Sequence, residues 1–129
     1  MMTTDSYESI TQKLILLNTE IGEMEQKGGD ATAYFTDLLS EQLIFRRATG
    51  KALSKADFIK NLVGGSPFTS RHAENIVVNP IGDRILVTLI VIGTKEDGSE
   101  QRFRNVRLFS QFDKNFILEF WYNYELTSL

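Results

Sequence analysis

The segment Ile85-Leu86-Val87-Thr88-Leu89-Ile90-Val91-Ile92 is apolar on both of its alternating faces, which argues for a strand buried on both sides. Asp97-Gly98 follows, a pair of residue types that tolerates positive φ and therefore signals a hairpin. Gln101 to Phe109 and Asn115 to Tyr124 then complete an antiparallel meander, the last strand carrying an aromatic cluster. Helical segments precede this block, and the combination defines a fold without defining a reaction.

Ile10, Leu14, Leu17, Ile21 and Met24 are spaced 4-3-4-3, one stripe of an amphipathic helix. Asp5 with Glu8 reads as a capping box at its start, and Gly28-Gly29 as its stop. The repeat lasts only about two heptads, so packing onto the sheet is a better reading than a coiled-coil seam. Asp30 is expected to cap a second helix with Tyr34, Phe35, Leu38 and Leu39 inward. Leu43 to Arg47 reads as a strand, turning at Thr49-Gly50 into a short return strand, Lys51 to Leu53. Ser54 with Asp57 starts a third helix, with Phe58, Ile59 and Leu62 on one face and Gly64-Gly65 at its end. A strand from about Thr69 to Asn79 turns back at Pro80-Ile81-Gly82-Asp83. The order predicts an α+β domain spanning residues 1–129, with helices against one face of a curved sheet.

The 129 residues are 42% hydrophobic, enough for one core, and the net charge of −3 gives no bulk attraction to nucleic acid or an anionic membrane. There is no cysteine, which excludes disulfides, thiol nucleophiles and thiolate metal sites. Met-Met-Thr-Thr-Asp at the start carries neither a basic nor an apolar signal region, and the longest apolar run is too short to span a bilayer, so a cytoplasmic protein is expected. Gly64-Gly65-Ser66 lacks the Lys-Ser/Thr of a phosphate loop, and His72 is a lone histidine without metal-ligand spacing. No metal and no cofactor are expected.

The element order, together with the strings Leu43-Ile44-Phe45-Arg46-Arg47-Ala48-Thr49-Gly50, Arg104-Asn105-Val106-Arg107-Leu108-Phe109 and Glu119-Phe120-Trp121-Tyr122-Asn123, resembles the nuclear transport factor 2-like superfamily. Within it the chain is most similar to small ketosteroid-isomerase-like and SnoaL-like, polyketide-cyclase-like proteins. The resemblance covers essentially the whole chain. It implies a cystatin-like, cone-shaped α+β barrel: a curved antiparallel sheet, three helices in the N-terminal half, and a pocket between the two. It also implies a homodimer formed through the sheet. It does not choose among isomerases, dehydratases, epoxide hydrolases, cyclases and non-catalytic binding proteins, all of which share the fold.

Strict alternation along the last strand puts Phe116, Leu118, Phe120, Tyr122 and Tyr124 on one face and Ile117, Glu119, Trp121 and Asn123 on the other. The first face is expected toward the helices, which makes Tyr122 either an oxyanion-type donor or a core tyrosine. Glu119 is either half of a cross-strand ion pair with Arg107 or Arg104, or a general base tuned by burial. His72, sharing a strand face with Glu74, is a surface residue or a base. Among Arg46, Arg47, Arg71, Arg102, Arg104 and Arg107, at least one is expected to face the pocket and hold a carboxylate or enolate. The expected lining is Tyr34, Phe45, Phe58, Phe68, Leu89, Arg104, Leu118, Phe120 and Tyr122. The expected dimer interface is Asn105, Arg107, Trp121 and Asn123, with Asn105 and Asn123 alternatively ligand contacts. Binding of a small apolar molecule with one polar group ranks first among functions. A cofactor-independent isomerase, dehydratase or cyclase comes next, then a structural dimerisation module.

Overall fold

The computed structural model describes residues 4–126, with side chains from Ser9 onward. Helix α1 (Thr4–Gln26) leads through a 3₁₀ turn (Gly28–Ala31) into α2 (Thr32–Leu38), β1 (Leu39–Arg46), β2 (Ala52–Leu53) and α3 (Lys55–Leu62). Four long strands follow: β3 (Ser70–Ile81), β4 (Arg84–Thr94), β5 (Glu100–Phe112) and β6 (Asn115–Glu125). They form one curved, unclosed sheet in the order β2-β1-β6-β5-β4-β3, with the helices on its inner side. This is the α+β cone expected from the sequence, with one departure. The sheet is mixed, because β1 runs parallel to β6 while every other neighbour pair is antiparallel. Successive hairpins from β3 onward fix the direction of β6, and it returns alongside β1 pointing the same way.

The stripe of α1 lies in the core: Leu14 and Ile21 are fully buried, and Ile10, Leu17 and Met24 pack against them. Gly28 adopts φ +61°, a left-handed conformation that ends the helix where the sequence places its stop. The side chains of Asp5 and Glu8, read as a capping box, lie outside the described residues. Asp30 does not cap α2. It sits inside the 3₁₀ turn, α2 is entered from Ala31 without a side-chain cap, and Leu39 already belongs to β1. The expected box at α3 is present, with Ser54 and Asp57 bonding each other's backbone N–H.

Two bulges re-aim side chains. On β3, Asn75 takes φ +54° and, with Ile76, stands opposite a single residue of β4. On β6, Leu118 pairs with Phe109 and Phe120 with Leu108, so Glu119 is the extra residue. Alternation therefore breaks at Glu119. Leu118 and Trp121 both point inward and are fully buried, whereas Phe120, Tyr122 and Tyr124 turn to the outer face, opposite to the expectation from strict period two. Trp121 joins Phe45 (4.5 Å between ring centroids) and Phe58 (5.4 Å) in an aromatic core that extends to Phe35.

The same bulge changes the partner of Glu119. Its carboxylate accepts from Arg84 Nε rather than from Arg107 or Arg104, and both side chains keep solvent contact. An ion pair this wet contributes little. Glu119→Gln is accordingly expected to move the melting temperature by no more than about 1–2 °C. Calorimetry beside the wild type checks this, and a large drop would mean that the pair is buried in an assembly.

Candidate functional site

Between the sheet and the end of α1, where β5 begins and β6 ends, a cavity of about 420 Å³ opens to solvent. Its walls are Phe45, Phe68, Phe103 and Val91. Phe68 is placed by the loop after α3. Gln26, at the end of α1, donates from Nε2 to the Phe68 carbonyl (2.9 Å) and accepts from Ser66 Oγ (2.8 Å). Ser66 Oγ in turn accepts the Phe68 N–H (3.1 Å). The ring so held meets Phe103 edge-on at 6.0 Å and lies flat against Gly93, where any Cβ would come within 2.7 Å of it.

Arg71 on β3 stacks over Phe68, 5.4 Å from guanidinium carbon to ring centroid. Its Nη1 stands 3.6 Å from the Glu25 carboxylate, and both side chains are about 15% exposed or less. That separation is an ion pair without a close hydrogen bond.

Asn105 and Asn123, directly opposite each other on β5 and β6, form the floor. Asn105 is 2% exposed and its amide has one orientation: Oδ1 accepts from Trp121 Nε1 (2.8 Å) and from Arg107 Nη2 (3.2 Å), so Nδ2 is the edge left for the cavity. That Nδ2 makes a long bond to the Phe103 carbonyl at 3.3 Å. Behind it lies Arg107, fully buried, with Nη1 on Asn18 Oδ1 (3.0 Å) and its guanidinium 4.4 Å above the Trp121 ring. Asn18 is itself fixed, donating to the Leu14 carbonyl at 2.7 Å. Burial pushes Arg107 down to about 10, against a smaller opposing pull from Glu25, and leaves it protonated at neutral pH. Arg107 Nε has no partner among the described residues, and neither has the buried Oδ1 of Asn123.

No protein-family model matches this chain, and no curated protein does. Solved structures do match. A nuclear transport factor 2-like protein of unknown function from Pseudomonas aeruginosa superposes with a TM-score of 0.75 at 10% identity, over 91% of this chain and 99% of that one. A putative calcium/calmodulin-dependent kinase II association domain from Exiguobacterium sibiricum gives 0.73 at 18% identity, over 100% and 99%. The association domain of the C. elegans kinase gives 0.71 at 16% identity, over 94% and 99%. The chain has the nuclear transport factor 2-like fold. At such identities the likeness speaks for the fold alone.

Within that fold the residues singled out from sequence separate into three groups. Phe45 and Phe68 line the cavity, while Phe58, Leu89 and Leu118 fill the core behind it. Tyr34 borders a different, shallow groove beside α2 and the β5–β6 hairpin. Its hydroxyl has no close hydrogen-bond partner among the described residues, and burial, assisted by the Glu20 carboxylate, raises its pKa. Arg104, Phe120 and Tyr122 are on the outer sheet face, as are Glu119 and His72, so none of the three catalytic candidates reaches the cavity. His72 is 71% exposed beside Glu74, the surface reading of the two. The four residues read as an interface belong inside: Trp121, Arg107 and Asn105 are buried, Trp121 against Phe45 and Phe58 and Arg107 against Asn18 of α1, and Asn123 joins the cavity floor. Glu25 and Phe103 were not anticipated. The parity of Phe103, Asn105, Arg107 and Phe109 along β5 carries the signal, since these alternate residues share a face with the core residue Phe109. Among the described residues no cluster of three metal-ligating side chains exists, and no helix is long and apolar enough to cross a membrane.

Proposed function

We propose that this protein binds a small, mostly apolar molecule with one polar group in the cavity between α1 and the sheet. The observation that carries the reading is an open cavity of about 420 Å³ walled by Phe45, Phe68 and Phe103, with the Asn105 and Asn123 amides on its lining. Such a lining removes the apolar body of a small molecule from water and meets its polar group with an amide. Native mass spectrometry of the freshly purified protein tests this: a bound mass of a few hundred daltons is expected, lost on unfolding. Phe103→Ala, which removes one wall, should abolish that retention. An identical spectrum from both proteins would defeat the reading.

The outer sheet face supports a homodimer as the working form. Ile44, Leu86, Ile90, Val106, Leu108 and Phe120 form an apolar surface that no described helix covers, and Ile44 is 54% exposed. Continuous apolar surface of this kind is ordinarily covered by a partner. Val106→Arg, at the centre of that face and away from the core, is expected to give a monomer by light scattering while the wild type gives twice the mass. A monomeric wild type at high micromolar concentration would remove this part of the reading. An association module is the second reading, favoured by the same face, and it requires only the dimer.

A further inference from the structure

We infer that the polar group held in the cavity is the zwitterionic head of an α-amino acid with a large apolar side chain, its carboxylate accepting from Arg71 and its ammonium donating to Glu25. The inference rests on the cavity being a binding site and names the class of ligand. Arg71 on β3 and Glu25 on α1 both line the cavity. They stand 3.6 Å apart at the nearest charged atoms, and neither side chain makes a hydrogen bond among the described residues. The side-chain atoms closed to solvent without a partner are Tyr34 Oη, Arg107 Nε and Asn123 Oδ1, so the Arg71 nitrogens and the Glu25 oxygens stay open to it. Arg71 lays the face of its guanidinium over Phe68, which leaves the N–H edge of the fork free. Glu25 lies in the last turn of α1, where the helix dipole disfavours a carboxylate and no basic side chain stands beside it on the helix. That position calls for a cation, and Arg71 meets it without a close hydrogen bond.

The charge balance selects the class. The lining carries two guanidinium groups, Arg47 and Arg71, and two carboxylates, Glu25 and Glu125. Arg47 and Glu125 are exposed and screened by solvent, so the half-buried inner pair decides. The asparagine amides on the same lining are neutral and leave this balance unchanged. A carboxylate alone gains Arg71 but meets Glu25 as a like charge. An ammonium alone gains Glu25 and meets Arg71 in the same way. A neutral amide reaches both without repulsion but brings no charge to either bond. The α-amino acid head carries both charges on one carbon. Each faces its opposite and replaces water with a charge-assisted hydrogen bond. Phe45, Phe68 and Phe103 wall the space left for the side chain, which suits an aromatic one.

Four probes of matched shape test this by ligand-observed NMR titration at pH 7: L-phenylalanine, 3-phenylpropionate, 2-phenylethylamine and 3-phenylpropanamide. Phenylalanine is expected to bind about ten- to a hundred-fold more tightly than either singly charged probe, the range for one lost hydrogen bond to a charged group. The amide is expected to fall between. Glu25→Gln, which removes a carboxylate the helix dipole disfavours and is expected to fold, should weaken phenylalanine and strengthen 3-phenylpropionate, so that the two bind alike. Arg71→Gln should do the same for phenylalanine and 2-phenylethylamine. The ranking on the wild type stands as the test even where the arginine variant fails to fold. Equal or tighter binding of 3-phenylpropionate, 2-phenylethylamine or the amide to the wild type overturns the inference and leaves the cavity a binding site. An unchanged ranking in Glu25→Gln overturns it as well, since the glutamate would then read nothing. If no probe binds at millimolar concentration while the native protein retains a ligand, the amino acid head is wrong. If nothing is retained either, the binding reading falls with it.

Discussion

Replacing Gly93 with alanine is expected to destabilise the protein by about 1–3 kcal/mol and to abolish ligand binding together. A Cβ at this position would lie 2.7 Å from three atoms of the Phe68 ring, closer than real contacts allow. The strand cannot yield, because Gly93 is paired on both sides, with Arg71 of β3 and Gln101 of β5. The Phe68 backbone is held by Gln26 and Ser66, so the ring must swing. Swinging removes the wall of the cavity and the surface on which Arg71 stacks. A double-mutant cycle with Phe68→Ala isolates the cause. In that background the added methyl meets no ring, and alanine is the better strand residue, so Gly93→Ala should become neutral or slightly stabilising. Urea denaturation of the four proteins measures the coupling. The same cost in both backgrounds would mean that the close approach of Phe68 is not what excludes a side chain at Gly93.

Gly93 also marks where the sequence is legible and where it is not. Periodicity identifies the helices and strands, because the stripe of α1 and the apolar run of β4 repeat over enough residues to declare their faces. The capping box at Ser54 is local chemistry and equally readable. What periodicity does not carry is a change of phase. The bulge at Glu119 turns over the second half of β6, so Trp121 and Asn123 go in and Phe120 and Tyr122 go out. Glu119 itself gives no local cue, because a bulge there is decided by how β6 fits both β5 and the parallel strand β1. The error passes directly into the site: several residues of the expected lining lie on the outer face, and of the residues read as an interface, the two asparagines take the alternative reading and line the cavity. Arg71 was among the arginines expected to face the pocket, but its pairing with Glu25 was beyond reach for a different reason. Their pairing joins the end of α1 to the start of β3, and nothing within either segment announces it.

Arg107→Lys, nominally conservative, is expected to cost more stability than Arg107→Met. Arg107 is a fully buried cation with no carboxylate in hydrogen-bond contact, so its charge is supported by the Asn18 and Asn105 amides, by the face of Trp121 and by a longer-range pull from Glu25. A planar fork engages two amides on its edge while stacking on a ring with its face. An ammonium is a compact, strongly hydrated charge and cannot do both. A lysine in this place would be a desolvated cation with most of its support gone, at a cost of about 3–5 kcal/mol. Methionine fills much of the volume without a charge. It leaves Asn18 Oδ1 without its donor, a loss of about 1–3 kcal/mol, while Asn105 keeps its bond from Trp121. The pH dependence separates the two mechanisms. Burial lowers the folded-state pKa of a cation, so between that value and the unfolded value the unfolded chain binds more protons and stability rises with pH. For Arg107 the window opens at about 10 and extends up to the ordinary arginine range. For a lysine it ends near pH 10.4 and starts lower, within reach of ordinary buffers. Urea denaturation at pH 7 and pH 9.5 should therefore show Arg107→Lys recovering stability relative to the wild type as pH rises, while Arg107→Met keeps a constant offset. A lysine variant as stable as the wild type at pH 7, with no recovery at pH 9.5, would mean that the fork geometry around Trp121 is not what makes this buried charge tolerable.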